Sequence, residues 1–278
     1  QSIVSPIKIL SKILRSERNK SNKKNNKFTY PERNDEIGIL SDDIRGMSED
    51  LKNRISEIEG FASDVSHELK NPLSSLKSSS ELLIQNNISE GSKNLLIRNM
   101  TKDIERMNIL ISDISNYTLT QVEIDEEIFE KFDVIVFVED FIKSLPHNNI
   151  EIDFRSNNVS AYIVANKNKL AQVFYNIFDN SFSYSPSKSK ILINTILKDE
   201  NIIFHIVDQG IGIPLDFREK IFDRFYTDRL KDKDKHTGLG LSISRKIIDS
   251  FKGNINLIEN NYEIYQGACF EIKLPLKG

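Results

Sequence analysis

From Leu51 onward apolar residues recur at Leu51, Ile55, Ile58, Ala62, Val65 and Leu69. Steps of four and three are the spacing that lines one seam of a coiled coil. A second stripe, Leu96, Met100, Ile104, Met107, Ile111 and Ile114, follows a polar turn, so residues 49–124 read as two helices folded into a hairpin. One hairpin cannot bury both seams, and pairing of two chains into a four-helix bundle makes an obligate homodimer the expectation. Beyond residue 125 the pattern changes to short apolar runs near 150–154, 161–164, 190–196, 202–207, 254–258 and 268–274. These predict strands of one mixed sheet, with helices from Val134, Lys167 and Leu239 over one face, an α/β sandwich.

The apolar pattern also isolates one residue. In Phe61-Ala-Ser-Asp-Val-Ser-His67-Glu68-Leu69-Lys70-Asn71-Pro72-Leu73, His67 lies about 200° round the helix from both Val65 and Leu69. A helix that buries those two holds the imidazole in solvent. Glu68 beside it can take a ring proton while the other ring nitrogen attacks an electrophile. Pro72 should bend the helix at this pair, because its ring clashes with the carbonyl of Glu68. A lone His-Glu dipeptide is more often an ordinary solvated pair.

Three motifs follow in the second half. In Leu170-Ala-Gln-Val-Phe-Tyr-Asn176-Ile-Phe-Asp-Asn180-Ser-Phe-Ser183-Tyr184, Asn176 and Asn180 share a face apart from the apolar stripe. Amide oxygens suit a magnesium ion already bound by phosphates, and an asparagine pair equally caps backbone. In Ile202-Ile-Phe-His-Ile-Val-Asp208-Gln-Gly210-Ile-Gly212-Ile-Pro214, a strand ends at an acid, and Gly210 and Gly212 leave room for close backbone approach to a ligand. In Lys235-His236-Thr237-Gly238-Leu239-Gly240-Leu241-Ser242, a glycine turn opens a helix whose free amides can take phosphate. Between the last two lie Ile221-Phe222-Asp223-Arg224-Phe225-Tyr226 and the charged stretch 228–235, read as a lid.

In this order the motifs resemble the H-box, N-box, first glycine box, F-box and second glycine box of sensor histidine kinases of bacterial two-component systems, over residues 50–278. The resemblance implies a HisKA-type dimerisation hairpin and a GHKL-type ATP-binding domain. It further implies that ATP with Mg2+ phosphorylates His67, that Glu68 is the base, and that the phosphoryl group passes to an aspartate on the receiver domain of a response regulator. Asn71 would orient water for dephosphorylation of that regulator. The nucleotide would be held by Asn176, Asn180, Tyr184, Asp208, Gly210, Gly212, Gly238, Leu239 and Gly240, with Asn180 the protein ligand to the metal and Asp208 accepting from the adenine amino group. Ser183, Phe225-Tyr-Thr-Asp-Arg229 and His236-Thr-Gly-Leu-Gly-Leu-Ser-Ile-Ser244 resemble the ChvG/ExoS subgroup. Many family members carry Lys or Arg where this chain has Ser183, and Arg where it has Thr227. Arg229 is the expected replacement cation, with Lys231, Lys233 and Lys235 as alternatives.

The beginning of the chain completes the layout. Pro6-Ile-Lys-Ile-Leu-Ser-Lys-Ile-Leu14, a linker rich in Asn, Lys and Ser, and Asn34-Asp35-Glu36-Ile37-Gly38 before a second helix resemble a HAMP signal-transfer module. Such modules follow a transmembrane segment, and the basic bias from Lys8 to Lys27 fits a membrane-adjacent cytoplasmic position. No apolar run approaches the roughly 20 residues that cross a bilayer, so the chain is expected to be the cytoplasmic portion of an inner-membrane protein whose transmembrane segment lies upstream. The units expected are a helical HAMP segment at 1–48, the hairpin at 49–124 and the ATP-binding domain at 125–278.

Composition narrows the picture further. A net charge of −3 over 278 residues argues against a general nucleic-acid binder. The single cysteine, Cys269, sits in an alternating strand and reads as a buried small side chain. His147 and His205 lack metal-ligand spacing. Two rival readings remain: an ATP-driven conformational clamp without a covalent intermediate, and a phosphatase-biased scaffold with a weak kinase site, the latter motivated by Ser183 and Thr227.

Overall fold

A computed structural model describes residues 8, 11, 35–84, 88–123, 129–145, 151–157, 160–227 and 237–277. Most of the HAMP reading, the charged stretch with Arg229, Lys231, Lys233 and Lys235, and the residues 85–87 of the polar turn lie outside them. Contacts divide the chain into Gln1–Asp64 and Val65–Gly278. Among the described residues no helix is long and apolar enough to cross a membrane.

Helix α1 spans Glu36–Leu83. Its start is capped by Asp35, whose carboxylate accepts from the Gly38 N–H at 3.2 Å. The helix runs through the expected boundary at residue 48 and through Pro72 without interruption, so the proline does not end it. Within the first unit Leu51, Ile55 and Ile58 stand exposed, the expected seam left uncovered within a single chain. Helix α2, Glu90–Glu123, begins where the Ser89 hydroxyl accepts from the Ser92 N–H.

The second half holds two sheets where the sequence reading expected one. Strands β1 (Glu130–Asp133) and β3 (Tyr162–Ala165) pair antiparallel by themselves. The main sheet takes β2 (Glu151–Ser156), β4 (Lys190–Lys198), β5 (Asn201–Val207), β6 (Asn254–Ile258) and β7 (Cys269–Pro275). Its order is β2-β4-β5-β7-β6, with only β2 and β4 parallel. Strand β1 was not anticipated, and the run at 161–164 belongs with it rather than in the main sheet. A two-residue turn at Asp199 and Glu200, both at positive φ, joins β4 to β5.

Three helices complete the domain: α3 (Val134–Ser144), α4 (Lys167–Tyr184) and α5 (Gly240–Ser250). Asp133 caps α3 by accepting from Ile135 N and also takes Ala161 N, tying the small sheet to the helix start. Asn166 caps α4 through Lys169 N. Phe141 meets Phe178 and Phe174, and Phe174 meets Phe204 of β5 edge to face with centroids 5.7 Å apart. This aromatic core fixes α4 over the sheet. On the other face His205 is bound by the Tyr262 hydroxyl at 2.8 Å and by Glu271 at 3.1 Å, a structural role in keeping with its lack of metal-ligand spacing.

Candidate active site

His67 is exposed on α1 while Val65 and Leu69 are half-buried, the arrangement that the apolar spacing requires. Asn71, one turn on, is also exposed. Glu68 is turned into the hairpin, where its carboxylate takes Arg106 of α2 at 3.3 Å. Sequence reading did not foresee that partner, because the two residues are separated by 37 others and lie outside both apolar stripes.

A cavity of about 640 Å³ brings together most of the nucleotide-site residues expected from the motifs. Helix α4 supplies Asn176, Asn180 and Tyr184, the end of β5 supplies Asp208, and the two glycine turns supply Gly212, Gly238 and Gly240. Gly210 adjoins this wall: its N–H donates to Asp208 Oδ1 at 2.8 Å, and a Cβ there would stand 2.8 Å from the Tyr184 carbonyl oxygen. Leu239 is fully buried and stands at the cap position of α5. Arg229 lies outside the described residues. No Lys or Arg occurs among the described residues that line the cavity, whereas Asp113, Asp179 and Asp208 do.

The two asparagines differ. Asn176 donates both amide hydrogens within the protein, to Gly240 O at 2.8 Å and to Ser244 Oγ at 3.1 Å. It therefore holds the start of α5 against α4. The Asn180 side chain makes no hydrogen bond among the described residues. A neutral amide oxygen on the cavity lining fits a hydrated magnesium ion that phosphates already ligate. No group of three or more His, Cys, Asp or Glu suited to a metal occurs among the described residues, and a nucleotide-borne ion needs none.

Asp208 is 4% exposed, and its Oδ1 accepts from the backbone N–H of Gly210 and of Ala268 at 3.0 Å. Burial raises its pKa above the usual carboxylate range, against the lowering effect of those two amides and of the Ser181 hydroxyl. Both amides fall on Oδ1. Gly267 is a residue that the motif reading passed over. A Cβ there would overlap Asp208 Oδ1 outright, and the Gly267 N–H donates to the Asp208 backbone carbonyl at 3.0 Å. Its only sequence signal was a glycine at the mouth of an alternating strand.

The second glycine turn is tied to the F-box. Phe225, at φ +58°, donates its N–H to Gly238 O at 3.0 Å. Gly238 has φ +77°, and a Cβ there would come 2.6 Å from the Phe225 carbonyl carbon, so only glycine fits.

The hairpin forms one wall of the cavity, through Ile109, Asp113 and Asn116 of α2. Leu110 and Tyr117, seven residues apart on α2, are 1% and 3% exposed, and α2 packs against α5. Lys246 of α5 lies 5.0 Å from the Tyr117 ring centroid. The Thr237 hydroxyl donates to Asp113 Oδ2. An apolar pair off the expected seam was the available signal for this face.

An acid at a strand end, a glycine turn and a second glycine-led helix around one adenine-sized cavity define the ATPase class shared by kinases, gyrase and chaperones. Residues 165–278 match the family described as Histidine kinase-, DNA gyrase B-, and HSP90-like ATPase, and residues 57–120 match the His Kinase A (phospho-acceptor) domain. The chain belongs to the sensor histidine kinases. It is 34% identical over 263 residues to Sensor protein ChvG of Rhizobium meliloti (strain 1021), covering 88% of this chain and 45% of that protein, in line with the subgroup resemblance. It is 28% identical to Heme sensor protein HssS of Staphylococcus haemolyticus (strain JCSC1435), over 99% of this chain and 59% of that one. Among solved structures, histidine kinase ThkA in complex with response regulator protein TrrA superposes with a TM-score of 0.59 at 22% identity, covering 81% of this chain and 64% of that chain. The chain thus spans about half the length of the curated relatives that it matches.

Proposed function

We propose that this chain is the catalytic portion of a protein-histidine autokinase. The observation that carries it is the pairing, in one chain, of an exposed His67 beside Glu68 with a cavity built around Asp208 and the two glycine turns. A ring nitrogen of His67 attacks the γ-phosphorus of ATP, an N–P bond forms, the bond to the ADP oxygen breaks, and Glu68 takes the ring proton. Asp208 accepts from the adenine amino group, and the start of α5 takes phosphate. Asn180 would hold Mg2+, which when bound neutralises phosphate charge.

Arg106, which meets Glu68, and Asp113, which lines the cavity, lie seven residues apart on α2. That is about two helical turns, roughly 10 Å along the hairpin, so the ATP-binding domain has to shift for an in-line attack. The phosphoryl group then passes to a response regulator. The relative ThkA was solved with such a partner, and Asn71 suits the reverse, dephosphorylating step. Pairing of two chains through the uncovered seam at Leu51, Ile55 and Ile58 makes the working unit a homodimer. A membrane anchor upstream, following the HAMP resemblance, would make this the cytoplasmic portion of an inner-membrane sensor.

Incubation with γ-labelled ATP and Mg2+ should leave acid-labile, base-stable phosphate on the protein, and His67→Gln should abolish it without changing nucleotide affinity. Label that persists in His67→Gln would overturn the assignment. Uncharged Ser183 and Thr227, where many family members carry a cation, motivate a slow kinase. Arg229 is the proposed supplement, with Arg229→Ala expected to slow labelling about tenfold, or roughly 1.4 kcal/mol of barrier.

A further inference from the structure

The contact between Asp113 and Thr237 lies at an unusual place. Thr237 is buried and immediately precedes the turn Gly238-Leu239-Gly240, where the triphosphate is expected. Its hydroxyl donates to Asp113 of the hairpin and also receives the Leu239 N–H at 3.4 Å, so one side chain connects α2 to the phosphate turn. Asp113 itself lines the cavity. Asp208 lies on the same lining, so two carboxylates face the cavity. A polyphosphate placed against a carboxylate is repelled.

We propose that Asp113 is a charge-sensitive latch: through Thr237 it holds the ATP-binding domain on the hairpin, and the phosphates of an entering nucleotide expel it and free the domain to reach His67. This rests on the ATP-binding reading above. The rest of the docking face includes Leu110, Tyr117 and the contact of Lys246 with the Tyr117 ring, and repulsion at Asp113 acts against it. The latch also makes Asp113 a specificity-determining residue. Its penalty grows with the number of phosphates and vanishes for adenosine.

Calorimetry on the whole chain with Mg2+ and AMP, ADP or ATP tests this. Asp113→Asn keeps the shape and removes the charge. It should tighten ATP by about tenfold, equivalent to roughly 1.4 kcal/mol, tighten ADP less, and leave AMP nearly unchanged. Thr237→Val removes the donor but keeps the carboxylate, so its ATP gain should be smaller. Spin labels at exposed Ser112 and Lys198, on Ser112→Cys and Lys198→Cys, read the docking directly, and the buried Cys269 does not compete for label. ATP should lengthen and broaden that distance in the otherwise wild-type chain, and Thr237→Val should show the broad distribution without nucleotide. Equal tightening of AMP and ATP, or a distance that ATP leaves unchanged, would overturn the latch while leaving the ATP reading intact. A wild-type chain that binds none of the three nucleotides would overturn both.

Discussion

Glu68 and Arg106 are paired across the two arms of the hairpin, Oε2 to Nη2 at 3.3 Å, with both side chains largely shielded from solvent. The carboxylate next to the phosphoacceptor is thus held by the opposite helix rather than by its own. Breaking such a partly shielded pair costs about 1 kcal/mol or less, so stability alone is a weak reporter. The informative measurement is a double-mutant cycle on the labelling rate. Arg106→Met should alter the rate in the wild-type background and have little further effect in Glu68→Gln, because the guanidinium acts through that carboxylate. Equal and independent effects would show that Arg106 has another role.

Asn176 and Asn180 should separate cleanly. Asn176 links α4 to the start of α5 through two hydrogen bonds, so Asn176→Ala should lower the melting temperature, at a cost of about 1–3 kcal/mol. Asn180 makes no such link among the described residues. Asn180→Ala should melt like the wild type and lose the Mg2+ dependence of ATP affinity. Thermal melts and calorimetry on the two variants decide it.

Asp208 gives a pH signature with a definite sign. Its pKa is raised by burial, so the folded protein holds that proton more tightly than the unfolded chain. The stability this provides is present below the unfolded pKa and is lost as pH rises through the folded value. At neutral pH the charged, buried carboxylate is therefore a cost that Asp208→Asn relieves. That variant should melt no lower than the wild type at pH 7, with any advantage disappearing in acid. ATP affinity should move the other way: it should fall about tenfold in Asp208→Asn at pH 7. In the wild type it should fall as acid protonates the carboxylate, whereas the variant should show no such titration.

Cys269 is buried in β7, and burial pushes its thiol up to about 12. It should resist alkylation in the native protein and react only on unfolding. Its rate of modification should follow global opening, and rapid labelling under native conditions would contradict the burial.

The elements that were legible in the sequence are those whose side chains face one environment along their whole length. Strand β6 spans Asn254–Ile258, as its alternation predicts. Helix α4 buries Leu170, Val173, Phe174, Ile177 and Phe178, as its stripe requires. Strand β1, Glu-Lys-Phe-Asp, carries a single buried apolar residue, Phe132, and a four-residue segment with one inward side chain has no detectable period. The assignment of β3 to the wrong sheet has a related cause, since alternation gives a strand's faces but not its neighbour. In the candidate site, the residues proposed to meet a ligand through their own functional group stand out in the motifs. Those that act by making room or by bridging elements, Gly267, Arg106 and Asp113, do not, because their importance lies in what they meet across the fold.

The hydrogen bond from Phe225 N to Gly238 O, with Gly238 seated directly on the Phe225 backbone, has a consequence for divergence among relatives. It closes the base of the segment between the F-box and the second glycine turn, so the framework sets the separation of the segment's ends whatever lies between them. Closing a chain between fixed ends costs only about 0.6 kcal/mol more for each doubling of length. Insertions, deletions and wholesale changes of charge in 228–236 are thereby uncoupled from the geometry of the nucleotide cavity. The stretch can change in length or charge without parting Phe225 from Gly238.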